Sequence, residues 1–439
     1  MSFITKYFLE NIVLKAGDFA TGGSFVSKLK EWRRICRFSR EKIYELQKEK
    51  LKQLLSFASV NSPYYVLQNI PREEDPFTWL RNFPILKKKS FRDNLDYFIT
   101  EKNRQKLTVI TSSGSTGPPS KVFFDKKTLS NNRALQILWW EWAGYQFGNS
   151  ILQTGVNMNR SREKAIKDIL LNTRYISAMS HHESEILEEL KKLQETPRDH
   201  FVAYASSLYL FAKTALNNQL KGINFKSVIS LGEKLMPEFR ETIESAFSCP
   251  VYDTYGASEG FLIASQCTQG NYHIMSPHVV VELLDDCDQE VKPGEIGRVV
   301  LTGLDNYTTP LIRYEVGDMA IKSELKDCSC GMNLPLLGEI TGRKTDFIKT
   351  PQGKYITVQN VVRVLKHFPA IDQFKLVQNR KGEISIIYVL NKAFTFLDQT
   401  EVIRMFEEVF LEPMKISFKK VNELPKAKTG KFQLIERVE

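Results

Sequence analysis

Apolar residues along the chain fall into two periodicities, and their order predicts the architecture. In "SREKIYELQKEKLKQLLSFASVNSPYY", Ile43, Leu46, Leu51, Leu54 and Leu55 recur at helical spacing. Ser39 stands in the capping position and Pro63 closes the segment, so this pattern predicts one long amphipathic helix docked on a larger body. Further on, short apolar runs alternate with helical stretches. "FVAYA" precedes "SSLYLFAKTALNNQL", "FKSVISLG" precedes "PEFRETIESAF", and "VYDTYG" follows directly. Strands separated by helices in this way predict an α/β fold with helices layered on parallel or mixed sheets, and ligands of such folds sit beyond the strand carboxyl ends. The chain divides into a helix-rich leader (1–105), a core region (106–340) and a small carboxyl-terminal α+β region (341–439). The cluster Trp139, Trp140, Trp142 and Tyr145 in "LWWEWAGY" lies at helical spacing, which fits helix packing, with an aryl-binding wall as the alternative.

Composition narrows the function classes. A chain of 439 residues with 42% hydrophobic and 26% charged residues exceeds one ordinary core, so two or three domains are expected. No apolar run approaches the roughly 20 residues that a membrane span needs, and "MSFITKYFLENIVLK" lacks the order of a signal peptide, so a cytoplasmic location is expected. The six cysteines then point to free thiols or a metal rather than a disulfide framework. Net charge is +10, and from Thr341 onward 18 Lys/Arg face 11 Asp/Glu. No aromatic-basic motif for reading bases accompanies this excess, which leaves polyanionic small molecules as the better match and argues against nucleic acid. Lys30 to Arg40 is locally basic around Trp32 and Phe38, which suits a solvated helix face better than a membrane surface.

The segment "TSSGSTGPPSKVFFD" (111–125) places seven Gly, Ser and Thr residues in a row between two strand-like runs. Such residues build little core. Their amides and hydroxyls, with Lys121 closing the loop, can wrap a polyphosphate. The spacing of Gly114, Gly117 and Lys121 matches neither the P-loop nor the dinucleotide-binding motif.

Four more motifs follow in order: "YGASEG" (255–260), "TTPLIRYEVGDMA" (308–320), "ITGRKTDFIKTPQGKYI" (340–356) and "LPKAKTGKFQ" (424–433). Together with the Ser/Thr/Gly loop they resemble the adenylate-forming enzymes, the superfamily of acyl-CoA synthetases, luciferases and peptide-synthetase adenylation domains. "PLIRYEVGD", "CSCG" and the short length are similar to its phenylacetate-CoA ligase branch. The leader resembles more narrowly the CapK-like and coenzyme F390 synthetase-like members. The resemblance spans essentially the whole chain.

It implies a role for each matching residue. Ser112, Ser113, Gly114, Ser115, Thr116, Gly117 and Lys121 would hold the phosphates of ATP. Gly232, Glu233, Asp253 and Thr254 would line the adenine pocket, Tyr255 would stack on the base, and Gly256 and Ser258 would border the site, with Ser206 beside the acyl group. Glu259 would give an oxygen to Mg²⁺, and Asp318 would accept from both ribose hydroxyls. Arg313 is ambiguous between the site and a strand brace. Arg343 would open a mobile carboxyl-terminal domain, with Thr345 or Asp346 as the hinge. Lys431, with Lys428 as its competitor, would reach the reacting carboxylate and α-phosphate.

Cys267 and His273 in "CTQGNYH", with Cys328 and Cys330 in "CSCG", could close a tetrahedral Cys₃His zinc site, as in some relatives in this branch; unrelated reduced residues are the alternative. Cys36, Cys249 and Cys287 read as packing or surface thiols. The resemblance leaves four functions open: transfer of an activated carboxylate to CoA, its transfer to an amine or hydroxyl of a surface sugar, adenylyl transfer, and non-catalytic binding. The implied assembly is a monomer or homodimer.

Overall fold

The computed structural model describes residues 7–101, 104–111, 120–155, 168–169, 171–177, 183–343, 347–349, 351, 355–357, 361, 364–365, 367–380, 382–391, 395–410, 414–422, 424 and 435–437. A π-helical turn at Leu9–Val13 leads into α1 (Leu14–Thr21), α2 (Phe25–Ile35) and α3 (Arg40–Asn61). Ser39 caps α3, its hydroxyl accepting from the Lys42 amide at 3.3 Å, and the helix stops before Pro63. Ile43, Leu51, Leu54 and Leu55 are buried and Leu46 half-buried, the stripe that the spacing predicts. Short helices α4 (Pro63–Leu67), α5 (Pro76–Asn82), α6 (Lys88–Asp93) and α7 (Leu95–Phe98) complete the leader. Their aromatics Tyr65, Trp79, Phe83, Phe91 and Phe98 share one core with the sheet residues Ile263, Val299, Leu301 and Tyr314.

A hairpin, β1 (Thr108–Thr111) and β2 (Lys121–Phe124), precedes α8 (Lys126–Trp142). Next come β3 (Ile151–Gly155), β4 (Thr173–Ser177), α9 (Glu183–Glu195), β5 (His200–Tyr204), α10 (Ala205–Asn217), β6 (Ser227–Leu231), α11 (Pro237–Phe247) and β7 (Val251–Ala257). Strands β8 (Phe261–Gln266), β9 (Tyr272–Ile274), β10 (Val279–Leu284), β11 (Ile296–Gly303), β12 (Tyr314–Lys322) and β13 (Leu336–Arg343) finish an eleven-stranded sheet of order β10-β11-β12-β13-β9-β8-β7-β6-β5-β3-β4. The half from β7 to β4 is parallel and carries α9, α10 and α11; the half from β10 to β7 is antiparallel. Strand β10 lies against β8 although they are far apart in the order, so the antiparallel half curls back on itself. Trp139, Trp140 and Tyr145 are buried with Trp32 and Leu138, which makes the tryptophan cluster helix packing.

Strand β13 runs to Arg343, across the division at 340. Beyond it lie β14 (Phe347–Lys349), β15 (Tyr355–Thr357), β16 (Ile371–Arg380), β17 (Glu383–Leu390), α12 (Gln399–Phe410), β18 (Lys415–Val421) and β19 (Ile435–Arg437). The last four strands form a sheet of order β18-β17-β16-β19 with a core of its own around Leu376, Ile386, Val402 and Phe406, which Met236 joins from the start of α11. The protein is thus α/β, a large sheet-and-helix domain followed by a small one. No described helix is long and apolar enough to cross a membrane.

Candidate active site

Two contacts link β7 and the turn after it to β12. The Tyr255 hydroxyl donates to Asp318 Oδ2 at 3.0 Å, and the Tyr314 hydroxyl donates to Glu259 Oε1 at 2.8 Å. Four strand steps separate β7 from β12 in the sheet order. At about 4.8 Å per step a flat sheet would hold them roughly 19 Å apart, beyond the reach of these side chains. Curling of the antiparallel half brings them together, and the pairs run in antiparallel sense: four residues forward from Tyr255 to Glu259 match four back from Asp318 to Tyr314.

Glu259 occupies a tight turn between β7 and β8. It is only 4% exposed, yet it is a carboxylate, and the groups around it explain how that is tolerated. Tyr314 bonds one oxygen, Ser258 Oγ lies 3.3 Å from the other, and the Lys88 ammonium at the start of α6 stands 3.7 Å from Oε1. Burial, reinforced by the carboxylate beside it, pushes the Tyr314 hydroxyl well above the usual phenol range, so it stays a donor. The next residue must be glycine. Gly260 has φ +91°, and a Cβ there would fall 2.4 Å from the Phe124 ring. Phe124 belongs to β2, whose first residue is Lys121. The hairpin is also tied down by Asn306 Nδ2 to the Phe123 carbonyl at 3.1 Å, so the strand entering from the Ser/Thr/Gly loop rests on the Glu259 turn.

The remaining predicted residues divide. Asp253 is buried, receives the Tyr272 hydroxyl at 2.5 Å, and burial pushes its carboxyl up to about 6. Thr254 donates to the Ser230 carbonyl at 2.7 Å. Glu233 accepts from the Ser206 amide at 2.9 Å, so its carboxylate caps α10. Gly232 (φ +70°) turns the chain where a side chain would strike Tyr204, and a Cβ on Gly256 would meet the Phe261 carbonyl at 2.8 Å. Asp318 is half-buried and paired in register with Arg343. Arg313 is a brace: its guanidinium binds Glu282 and the carbonyls of Arg81 and Phe83, fixing the leader to the sheet. Ser112, Ser113, Gly114, Ser115, Thr116, Gly117, Thr345, Asp346, Lys428, Lys431 and the Arg343 side chain lie outside the described residues.

Cys267, His273, Cys328 and Cys330 do converge, with ligand atoms all within 4.8 Å of one another. Cys267 Sγ lies 3.6 Å from Cys328 Sγ, and Cys330 Sγ lies 3.2 Å from His273 Nε2. Tetrahedral zinc with Zn–S near 2.3 Å would hold two sulfurs about 3.8 Å apart, so the cage fits that ion. His273 is fully buried and burial lowers its pKa, keeping the ring neutral; Nδ1 lies 3.2 Å from the Leu334 carbonyl, which leaves Nε2 directed at the cage.

The sequence motifs assign no role to Lys88 or Tyr314, both of which contact Glu259 Oε1. Tyr314 stood inside a recognised motif, whereas Lys88 sits in "KKKSF", which reads as an ordinary solvated run.

Known proteins resemble this chain along most of its length. Residues 348–438 match the CapK C-terminal domain family. Protein CapK of Staphylococcus aureus is 24% identical over 408 residues, 89% of this chain and 88% of that protein. The chain is similar to CapK and to phenylacetate-CoA ligases along most of its length. A phenylacetate-coenzyme A ligase of Thermus thermophilus is 24% identical over 369 residues, covering 79% of this chain and 80% of the relative. Among solved structures, 2-hydroxyisobutyryl-CoA ligase in its postadenylation state shares the fold with a TM-score of 0.70 at 17% identity, over 89% of each chain.

Proposed function

We propose that this protein activates a small-molecule carboxylate with ATP, forms an acyl-adenylate with release of pyrophosphate, and then passes the acyl group to CoA. The observation that carries this reading is the paired meeting of Tyr255 with Asp318 and of Glu259 with Tyr314 across the curled sheet. It brings the acids Asp318 and Glu259 along one line, which supports a ribose-binding role for the first and a metal-binding role for the second. Tyr255 fixes one oxygen of Asp318, which suits an acceptor for vicinal hydroxyls. Glu259 offers hard carboxylate oxygens that fit Mg²⁺; the ion supplies charge neutralisation for the phosphates of ATP. Lys88 adds a positive charge on the same side. The Ser/Thr/Gly loop from Ser112 to Gly117, with Lys121, holds the phosphates, and Lys431 stabilises charge on the reacting carboxylate and α-phosphate. The carboxylate oxygen attacks the α-phosphorus, the bond to the bridging oxygen breaks, and pyrophosphate leaves. The Cys₃His cage takes no part in this chemistry; filled by zinc, it ties the loop at Cys267 to the turn at Cys328.

The CapK-like resemblance of the leader supports a second reading, in which the acceptor is an amine or hydroxyl of a surface sugar. Pyrophosphate exchange with a panel of carboxylates, followed by acyl transfer with and without CoA, tests both. Carboxylate-dependent exchange and a CoA thioester are expected. Exchange without a thioester assigns the sugar acceptor, and exchange independent of any carboxylate refutes acyl activation.

A further inference from the structure

The first helices carry apolar side chains both toward the core and toward solvent. Leu9 and Leu14 pack inward on the cluster that holds Leu29, Trp32 and Trp139. Phe8, Ile12 and Phe19 point outward, and Phe19 is 93% exposed. These three follow one another along the π-turn and α1 as an exposed apolar stripe. A helix that is apolar on its solvent side as well as its core side needs a second apolar phase.

The charges around the stripe define that phase. Both acids of the segment from Tyr7 to Lys30 are engaged internally: Glu10 is 6% exposed and bound by Arg33, and Asp18 accepts from the Val26 amide at 2.8 Å. The bases stand outside. Lys15, Lys30, Arg34 and Arg37 are all exposed, and Lys30 bonds Asn11 Oδ1 at 2.7 Å, directly beside Ile12. A basic edge on α2 therefore runs along an apolar ridge one helix wide. Such a ridge has no walls to grip a protein segment, whereas it can sink between acyl chains while lysine and arginine reach anionic headgroups at its side. We propose that this face of the leader docks on an anionic lipid surface. The inference is independent of the acyl acceptor.

The test is flotation of the full-length protein with phosphatidylcholine vesicles, with and without about one third phosphatidylserine. The protein is expected to float with the anionic vesicles alone and to be released when salt is raised to about 1 M. Phe19→Ser should weaken partitioning about tenfold, the effect of losing one buried aromatic anchor. A Lys30→Ala, Arg34→Ala double variant should weaken it by about tenfold or more. Because Phe19 and both bases are exposed, melting temperature and pyrophosphate exchange should not change. Absence of flotation, equal flotation with both compositions, or full binding by Phe19→Ser overturns the proposal. So does a dimer in sedimentation that Phe19→Ser dissociates, which would assign the ridge to a second copy of the chain.

Discussion

Replacing Tyr314 by Phe isolates the hydroxyl that holds Glu259. The ring is fully buried against Phe91 and Phe261, with centroids 5.9 and 6.3 Å away, and phenylalanine keeps that packing. What is lost is one hydrogen bond to a buried carboxylate, a bond of about 1.5–3 kcal/mol. Lys88, 3.7 Å from the same oxygen and partly exposed, can move in and recover part of this, so the lower end applies. About 1.5 kcal/mol corresponds to roughly tenfold in an equilibrium or a rate. If Glu259 must be held to serve the phosphates, carboxylate-dependent pyrophosphate exchange falls about tenfold and needs more Mg²⁺ for half-maximal rate, with a melting temperature lower by only a few degrees. Combining Tyr314→Phe with Lys88→Ala should cost more than the two single changes together, because each then lacks its substitute. Exchange within twofold of wild type at every Mg²⁺ concentration, with the melting temperature lowered, would show that the pair serves folding alone and would remove Glu259 from the metal site.

Lys431→Ala is expected to abolish acyl-adenylate formation while leaving thioester formation from a supplied adenylate largely intact; the same split seen in Lys428→Ala instead would move the catalytic lysine. Elemental analysis of protein purified without chelator should find about one zinc per chain. Cys328→Ser or Cys330→Ser should release it and lower the melting temperature without changing KM for ATP, and a metal-free native protein would contradict the cage. Asp253 sets a pH dependence. Its folded pKa of about 6 lies above the unfolded value near 3.9, so between these the native state holds the extra proton and stability falls as pH rises. Asp253→Asn should flatten that slope in urea unfolding between about pH 4 and 6, and an unaltered slope would place the titrating group elsewhere.

What could be read in advance was local chemistry. The spacing from Ile43 to Leu55 predicts its buried stripe because helix geometry alone decides it, and the Ser39 cap and Pro63 stop are contained within single turns. The Cys₃His cage was legible because thiols and imidazole are few and have a restricted chemistry, so four of them in two short segments narrow the choices. The curl of the sheet was not legible. Periodicity identifies strands but not which distant strands meet, and the meeting of Tyr255 with Asp318 depends on that curl. Lys88 reached the site only through the packing of the leader on β12, which no feature of a triple-lysine run announces. Arg313 lay inside a motif on which either role could rest, and its contacts with Arg81, Phe83 and Glu282 assign it to the scaffold.

If a carboxylate oxygen attacks the α-phosphorus of ATP, that oxygen ends in the nucleotide product. Turnover of a carboxylate labelled with heavy oxygen, in a substrate chosen from the exchange panel, tests it most directly by mass spectrometry of the nucleotide product. AMP should carry one labelled oxygen and pyrophosphate none. Labelled orthophosphate accompanied by ADP, or AMP free of label while acyl transfer proceeds, would contradict it.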